Sequence, residues 1–345
     1  MRFDCQVKNS DGSSIWDLPF ESFTINEELN KGQTLEISFE RTYIQKIADT
    51  YGVTPEFIFS GSYREIEIYD ENANKIFAGY IAEIQFNKGN VDFGSISVSA
   101  KGFFSLLEKR YTNTSLSYTN TDSSDIAWGL INYTQGLSYG NLGITRGADP
   151  TTKNRDRTDL RYKNIAEVIR KMSADEVKDG YDFEVDKNKV FNVYYPKGTQ
   201  RDEIYLESDF NINTYQISKT FIDGMINQAI VVGSGNDTFN QLVEIRNSAN
   251  TYKSAFFLLQ EVLNESDVSV ATTLQDKGDK LLEIYQAPRY TISLTCRYDN
   301  PNWVNFEVGD SLKVVIGEYQ INDFYRVRKR SVNSKGDVSI SFKEY

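Results

Sequence analysis

The residues best placed to do chemistry in this chain are three arginines. In the stretch FYRVRKRSV, Arg326, Arg328 and Arg330 fall at alternate positions. Residues two apart on a β-strand share one face, so the three guanidinium groups stand in a row. Each planar fork can hold a carboxylate through two parallel N–H···O bonds. The row is therefore expected to be a partner interface, a strip that takes up carboxylates of a neighbouring subunit or of another protein. The plainer alternative is an exposed strand face with nothing attached.

Three other patterns point to ligand chemistry, and each fails on spacing. IVVGSGND, residues 230–237, ends an apolar run in Gly233-x-Gly235. A dinucleotide fingerprint needs a third glycine and then a helix. Here the third position is Thr238, and Val243 and Ile245 alternate with Glu244 and Arg246 as in a strand; no Gly-Lys-Ser/Thr follows. DENAN places Asp70, Asn72 and Asn74 like the start of a calcium loop, but the sixth and twelfth positions are Lys75 and Ile81 rather than Gly and Glu. The hairpin reading is preferred. The acids Asp175, Glu176, Asp179, Asp182, Glu184 and Asp186 invite a glycosidase reading, which needs two carboxylates facing one sugar. In YDFEVD, however, Tyr181, Phe183 and Val185 point one way, so Asp182, Glu184 and Asp186 are expected on a solvated strand face.

Composition narrows the choice further. The 345 residues contain no histidine, which removes His-based acid–base chemistry, triads and metal sites. Cys5 and Cys296 are far apart and are expected as free thiols. No catalytic, cofactor-binding or metal-ligating residue is expected, and the chain is not expected to be an enzyme. Net charge is −11, so the overall field does not attract nucleic acid. No apolar run is long enough for a membrane span, and MRFDCQVKNSDG lacks the pattern of a secretion signal. Folding in a cytoplasm is expected.

The elements that must position these residues are mainly strands. SFTINEEL and GQTLEISFER alternate apolar and polar positions, and a short helix is expected over FERTYIQKIADTYG. REIEIY, KIFAGYIAEIQF and SISVSAKGF read as three strands. SSDIAWGLINYTQG and NIAEVIRKMSADEV carry helical apolar spacing, the former with Ser124 or Asp125 as the expected N-cap. GADPTTKNRDRTDLRYKN between them reads as loop. SLKVVI, INDFYRVRKRSV and VSISFKEY are again three strands. The fold class expected is α+β, mainly β: two tube-type β-barrel modules with a short helix each, plus an inserted α+β domain. The boundaries expected are 1–111 for the first module, 112–200 for the α+β domain, and 201–345 for the second module, with an insertion at about 237–266. The two β regions echo each other, each with a long middle strand, a Lys-Gly turn and a closing strand carrying Ser at alternate positions.

IFAGYIAEIQF, NIAEVIRKMSADEVKDGYDFEVD, MINQAIVVGSGND, LLEIYQAPRYTISL and FEVGDSLKVVI, in that order, resemble the tail-hub family of bacteriophages, the late-control-D-like or baseplate-hub proteins. The likeness runs over nearly the whole chain, with residues 237–266 as the departure. It implies a homotrimer in which each subunit places two β modules around an axis. The resulting six-module ring joins a six-fold tail tube to a three-fold spike or fibre. Implied partners are a distal tail or tail tube protein ring, the tape-measure protein and a spike, receptor-binding or fibre protein. DNA passes the channel without specific binding. The place implied is the virion tail, assembled in the host bacterial cytoplasm. A trimer carries three times −11, or −33, which suits a lumen that repels phosphate. The alternative function is carbohydrate binding at the tail tip in host recognition, where the 22 Tyr and 3 Trp could stack on sugars.

Overall fold

The structure is a computed structural model. It describes residues 2–9, 11, 13, 15–60, 63–88, 94–157, 160–173, 180–220, 224–235, 240–265, 268–297 and 306–343. The chain opens with strands β1 (Asp4–Asn9), β2 (Ile15–Asp17), β3 (Ser22–Glu28) and β4 (Thr34–Glu40), then helices α1 (Arg41–Tyr51) and α2 (Pro55–Ser60). Strands β5 (Arg64–Tyr69), β6 (Lys75–Asn87) and β7 (Ser95–Gly102) follow, with a 3-10 helix at Phe103–Lys109. The middle holds β8 (Tyr118–Asp122), α3 (Ser123–Gln135), β9 (Thr145–Arg146), β10 (Asn154–Arg157), α4 (Ile165–Ser173), β11 (Asp182–Val185) and β12 (Val190–Tyr194). Next come β13 (Gln200–Glu207), β14 (Ile212–Thr220), β15 (Gln228–Val232), β16 (Val243–Asn247), α5 (Asn250–Phe256), β17 (Gln260–Asn264) and α6 (Ala271–Tyr285). The last strands are β18 (Arg289–Arg297), β19 (Ser311–Ile316), β20 (Ile321–Asn333) and β21 (Asp337–Lys343). The class is α+β, mainly β.

Two compact units are distinguished. One gathers Met1–Ala174, Tyr181–Thr214 and Leu294–Ile340; the other gathers Asp175–Gly180, Tyr215–Ser293 and Ser341–Tyr345. In the second unit β15 lies between antiparallel β16 and parallel β17. The inner face of β15 carries Ala229 and Val231, which pack on Leu274, Leu281 and Leu282 of α6. The spacing of those leucines at i, i+7 and i+8 gives α6 its one apolar stripe.

The first unit is built on strand alternation. Leu35, Ile37 and Phe39 of β4, Ile66 and Ile68 of β5, and Ile96 and Val98 of β7 point to one side of the sheet. Helices α1 and α2 cover that side with Ile44, Ala48, Ile58 and Phe59. Gly52 ends α1 in the left-handed region at φ 64°, and its N–H bonds back to the helix carbonyls of Ala48 and Asp49. A separate cluster holds the middle elements together, with Ile126 and Leu130 of α3, Ile165 and Ile169 of α4, and Phe183 and Phe191 of β11 and β12. The N-cap of α3 is Asp122 rather than Ser124 or Asp125; its carboxylate accepts the Ser124 N–H, so the cap sits one residue before the serines. The expected loop over GADPTTKNRDRTDLRYKN contains a strand instead. Asn154–Arg157 pairs antiparallel with β8, although NRDR has no apolar alternation to announce it.

The echo seen in the sequence is an echo of topology. The sheet order β3-β4-β7-β6-β5-β1 is matched by β14-β18-β21-β20-β19-β13. The middle strands β6 and β20 are both 13 residues long. The match ends at the outer strand, since β1 runs antiparallel to β5 and β13 parallel to β19. Neither copy closes a barrel: among the described residues the strands form one open 13-stranded sheet. The two copies are joined at a seam. The first half of β20 pairs with β19, from Ile316↔Ile321 to Ser311↔Arg326. Its second half leaves β19 and pairs antiparallel with β3, from Lys329↔Glu28 to Asn333↔Thr24.

Candidate functional site

The predicted arginines lie along β20: Arg326 stands opposite Ser311 of β19, and Arg330 stands in the seam opposite Glu27 of β3. Arg326 Nε donates to Gly309 O at 2.9 Å, and its Nη2 donates to Lys197 O at 2.7 Å and to the Asp182 carboxylate. Both side chains of the Arg326–Asp182 pair are 9% exposed. Arg330 Nε donates to Glu27 Oε2 at 2.7 Å, its Nη1 donates to Phe306 O, and its guanidinium lies 5.4 Å from the Phe306 ring centre. Arg328 is half-buried between them, and its carbonyl accepts the Leu29 N–H at 3.0 Å. The carboxylates that Arg326 and Arg330 meet thus belong to the same chain.

Asp182 is not on a solvated face. It is buried, because its strand packs where the β3–β4 turn and the Lys197 backbone converge on it. Its Oδ1 accepts from Asn30 Nδ2 at 2.9 Å and its Oδ2 from the Lys197 N–H at 2.9 Å. Asn30 in turn accepts the Phe183 N–H at 2.9 Å. Asn30 has φ 63°, a left-handed conformation that asparagine adopts more readily than most residues. Glu184 and Asp186 are half-buried; Glu184 bonds Lys197 Nζ and the Tyr194 hydroxyl, the latter at 2.6 Å. Asp175, Glu176 and Asp179 lie outside the described residues.

Electrostatics favour a fixed joint over a reactive site. Burial pushes the Glu27 carboxyl up, but Arg330 and Lys187 outweigh it and hold it below the usual carboxylate range. Gln33 Nε2 also donates to Glu27 at 2.5 Å. Beside the seam a cleft of about 320 Å³ is lined by Glu27, Asn30, Glu184, Asp186, Lys187 and Lys197, among others. Asp182, Glu184 and Glu27 each have a basic partner in Arg326, Lys197 and Arg330. No nucleophile–base pair is formed by these groups. Asp310 adds a further anchor: it accepts the Thr199 N–H at 2.8 Å and the Glu307 N–H at 3.0 Å. Gly198 beside it has φ +87°, and a Cβ there would lie 2.2 Å from Gly309 C, so only glycine fits this approach.

The sheet face away from the helices is polar. Cross-strand register aligns Thr24, Glu36, Ser99 and Glu83 in one row and Ser22, Ser38, Ser97 and Gln85 in the next. Ser99 donates to Glu36 at 2.6 Å and Asn87 to Ser97 at 3.2 Å. Thr295 and Ser339 make a similar contact at 3.2 Å in the second copy.

The other patterns have local explanations. Asp70 Oδ1 accepts the Asn72 and Asn74 N–H groups at 2.9 and 2.8 Å, closing the turn between β5 and β6. Gly233 follows strand β15 and strand β16 comes next, with no intervening helix described; Thr238 lies outside the described residues. Cys5 and Cys296 are buried free thiols. Among the described residues no His/Cys/Asp/Glu cluster could hold a metal, and no helix is long and apolar enough to cross a membrane.

Solved structures share this architecture end to end. The prophage MuSo2 43 kDa tail protein from Shewanella oneidensis superposes with a TM-score of 0.71 at 10% identity, over 99% of this chain and 98% of that one. The fold is that of phage tail proteins. The prophage tail protein gp18 from Listeria monocytogenes gives a TM-score of 0.66 at 12% identity, over 99% and 94% of the two chains. The E. coli c3393 protein, described as a type VI secretion component structurally similar to T4 tail proteins gp27 and gp5, gives 0.54 at 12%, over 95% and 74%. No family profile matches the sequence, and no curated protein does.

Within this phage-tail fold, sequence reasoning placed the arginines on the correct strand and missed their partners. Asn30, Glu27, Lys197 and Asp310 carry the joint. Their sequence neighbourhoods read only as turns and strand ends, and nothing local names a partner more than 100 residues away.

Proposed function

We propose that this chain is a structural virion protein, the hub of a phage tail tip or baseplate. Three copies form the hub, each giving two β modules to a ring that adapts a six-fold tail tube to a three-fold spike or fibre. The observation that carries this reading is the duplicated sheet order, β3-β4-β7-β6-β5-β1 and β14-β18-β21-β20-β19-β13. Three chains offer six similar positions only if each chain holds two. The likeness in fold to phage tail proteins supports the reading.

In this reading residues 1–111 and 201–345 are the two ring modules and 112–200 is a peripheral α+β domain. The polar sheet face with Glu36, Glu83 and the serines of β7 lines the lumen, and helices α1 and α2 face outward. DNA passes without specific binding because the wall offers carboxylates and hydroxyls instead of cations. Partners are a tail tube or distal tail ring on one side and a tape-measure terminus with a spike or fibre on the other. The protein resides in the virion tail, is assembled in the host cytoplasm, and works by assembly rather than catalysis. The arginine row serves the interface indirectly: Arg330 ties the seam to Glu27, and Arg326 ties β20 to Asp182 and the Lys197 backbone. Multi-angle light scattering tests the assembly. A mass of three chains is expected, and a stable dimer or tetramer would overturn it.

A further inference from the structure

The seam inside one chain indicates how neighbouring chains join. The terminal five residues of β20, Lys329–Asn333, are covered by β3. The strand that corresponds to β20 in the first copy is β6, of equal length, and its terminal residues are Glu83–Asn87. Among the described residues no strand pairs with the β5-side edge of that segment, and Ala82, Glu83, Gln85, Phe86 and Asn87 are exposed. Phe86 is 45% exposed although it lies opposite Ile96 of the core. Its counterpart, counted from the strand end, is Val332, which is half-buried opposite Ile25 of β3.

The strand that corresponds to β3 is β14, since β3 borders β4 as β14 borders β18. It is the last strand of the sheet order, so among the described residues no strand pairs with its second edge. The sequences agree in pattern: SFTINEE at Ser22–Glu28 and TYQISKT at 214–220 both put an aromatic residue second and isoleucine fourth. A strand edge that no other strand covers invites one.

We propose that β6 of one copy pairs antiparallel with β14 of a second copy, in the register of the internal seam. This rests on the trimeric reading above. Copying the seam places Phe86 opposite the partner's Ile217, as Val332 stands opposite Ile25, and places Gln85 opposite Ser218 and Asn87 opposite Gln216. Each chain then has one donor edge and one acceptor edge, a head-to-tail contact that closes on itself by rotation. Three internal seams and three intermolecular ones alternate around the ring.

The test is a double variant, Gln85→Cys with Ser218→Cys, oxidised mildly and run on a non-reducing gel. Cross-strand Cβ atoms lie about 4.5–5.5 Å apart, near the disulfide range. Cys5 and Cys296 are buried and do not interfere. Covalent dimers and trimers, with nothing larger and with neither single variant linking, are expected. The displaced pair Gln85→Cys with Gln216→Cys is expected to link at least tenfold less. A second variant, Phe86→Asp, alters a side chain already exposed in the single chain and is expected to convert trimer to monomer while leaving its circular dichroism unchanged. Light scattering on the same samples separates the outcomes. A trimer whose double cysteine variant does not link and which survives Phe86→Asp overturns the strand pairing alone; a wild-type chain that is monomeric at every concentration, with a double cysteine variant that never links, overturns both the pairing and the trimer.

Discussion

Glu27 and Arg330 stand 303 residues apart in sequence, yet Arg330 Nε lies 2.7 Å from Glu27 Oε2. Both side chains are largely buried, at 7% and 14% exposure. The pair sits on adjoining strands at the register Arg330↔Glu27, where the two copies of the sheet become one. Removing one partner strands the other charge, which costs about 3–5 kcal/mol for a buried pair. Arg330→Gln is expected to lower the unfolding free energy by roughly that amount. Glu27→Gln with Arg330→Gln, which leaves no unpaired buried charge, is expected to recover more than half of the loss. Urea melts of the four members of the cycle measure it, and additive losses would show that the two side chains are not coupled.

The same pair sets a pH dependence with a definite sign. The folded-state Glu27 carboxyl titrates below its unfolded value, because Arg330 and Lys187 outweigh burial. Its contribution is therefore complete above the unfolded value and is lost as the pH falls through the folded one. In Arg330→Gln burial becomes the dominant influence and raises the carboxyl. The deficit of that variant relative to wild type is expected to be largest near neutrality and to shrink as the pH is lowered through the carboxylate range. Denaturation midpoints at a series of pH values check this; a deficit that grows with acid would contradict it.

Gly198 allows a close backbone approach beside Asp310. A Cβ would meet Gly309 C at 2.2 Å, and the backbone is at φ +87°. Gly198→Ala is expected to lower the melting temperature by several degrees, on the order of 2 kcal/mol or more. By contrast Gly52→Ala, where no atom lies within 4 Å, suffers only the strain of its positive φ. Thermal melts of the two variants, compared side by side, give the ordering.

The two cysteines are expected to be silent. Burial pushes both thiols well up, with Asp17 adding to the effect at Cys5. A thiol reagent at mildly alkaline pH should find neither in the folded chain and both after denaturation. Rapid reaction of the folded protein would show that one of these sites opens.

If the polar face lines a lumen, its charge decides whether DNA sticks. Glu36 and Glu83 are exposed and stand in one cross-strand row with Ser99. Glu36→Lys with Glu83→Lys is expected to fold normally and to make the assembled protein retain DNA, with a retention that weakens steeply as salt rises. Filter binding over a salt series reads it. No gain in retention would place the lumen elsewhere.

Much of this architecture was legible as alternation. The meanders β5-β6-β7 and β19-β20-β21 follow from period-two patterns and their turns, and the apolar stripes of α3 and α4 follow from their spacing. Alternation separates two faces of a strand but does not say what covers each. Tyr181 and Phe183 were placed correctly in a core, whereas Asp182 on the opposite face was expected in water and is buried against Arg326 and Asn30. Asn154–Arg157 went unread because its pairing with β8 uses backbone groups under polar side chains. The seam was invisible for a related reason: β3 and β20 are joined by backbone bonds across some 300 residues, and long-range pairing leaves no local mark in the sequence.

Electron microscopy of the purified assembly, averaged down its axis, tests the central claim most directly. The account predicts a ring of six similar lobes built from three chains, with strand continuity between lobes both within and between chains. A particle with three lobes, or with six lobes from six chains, would contradict it.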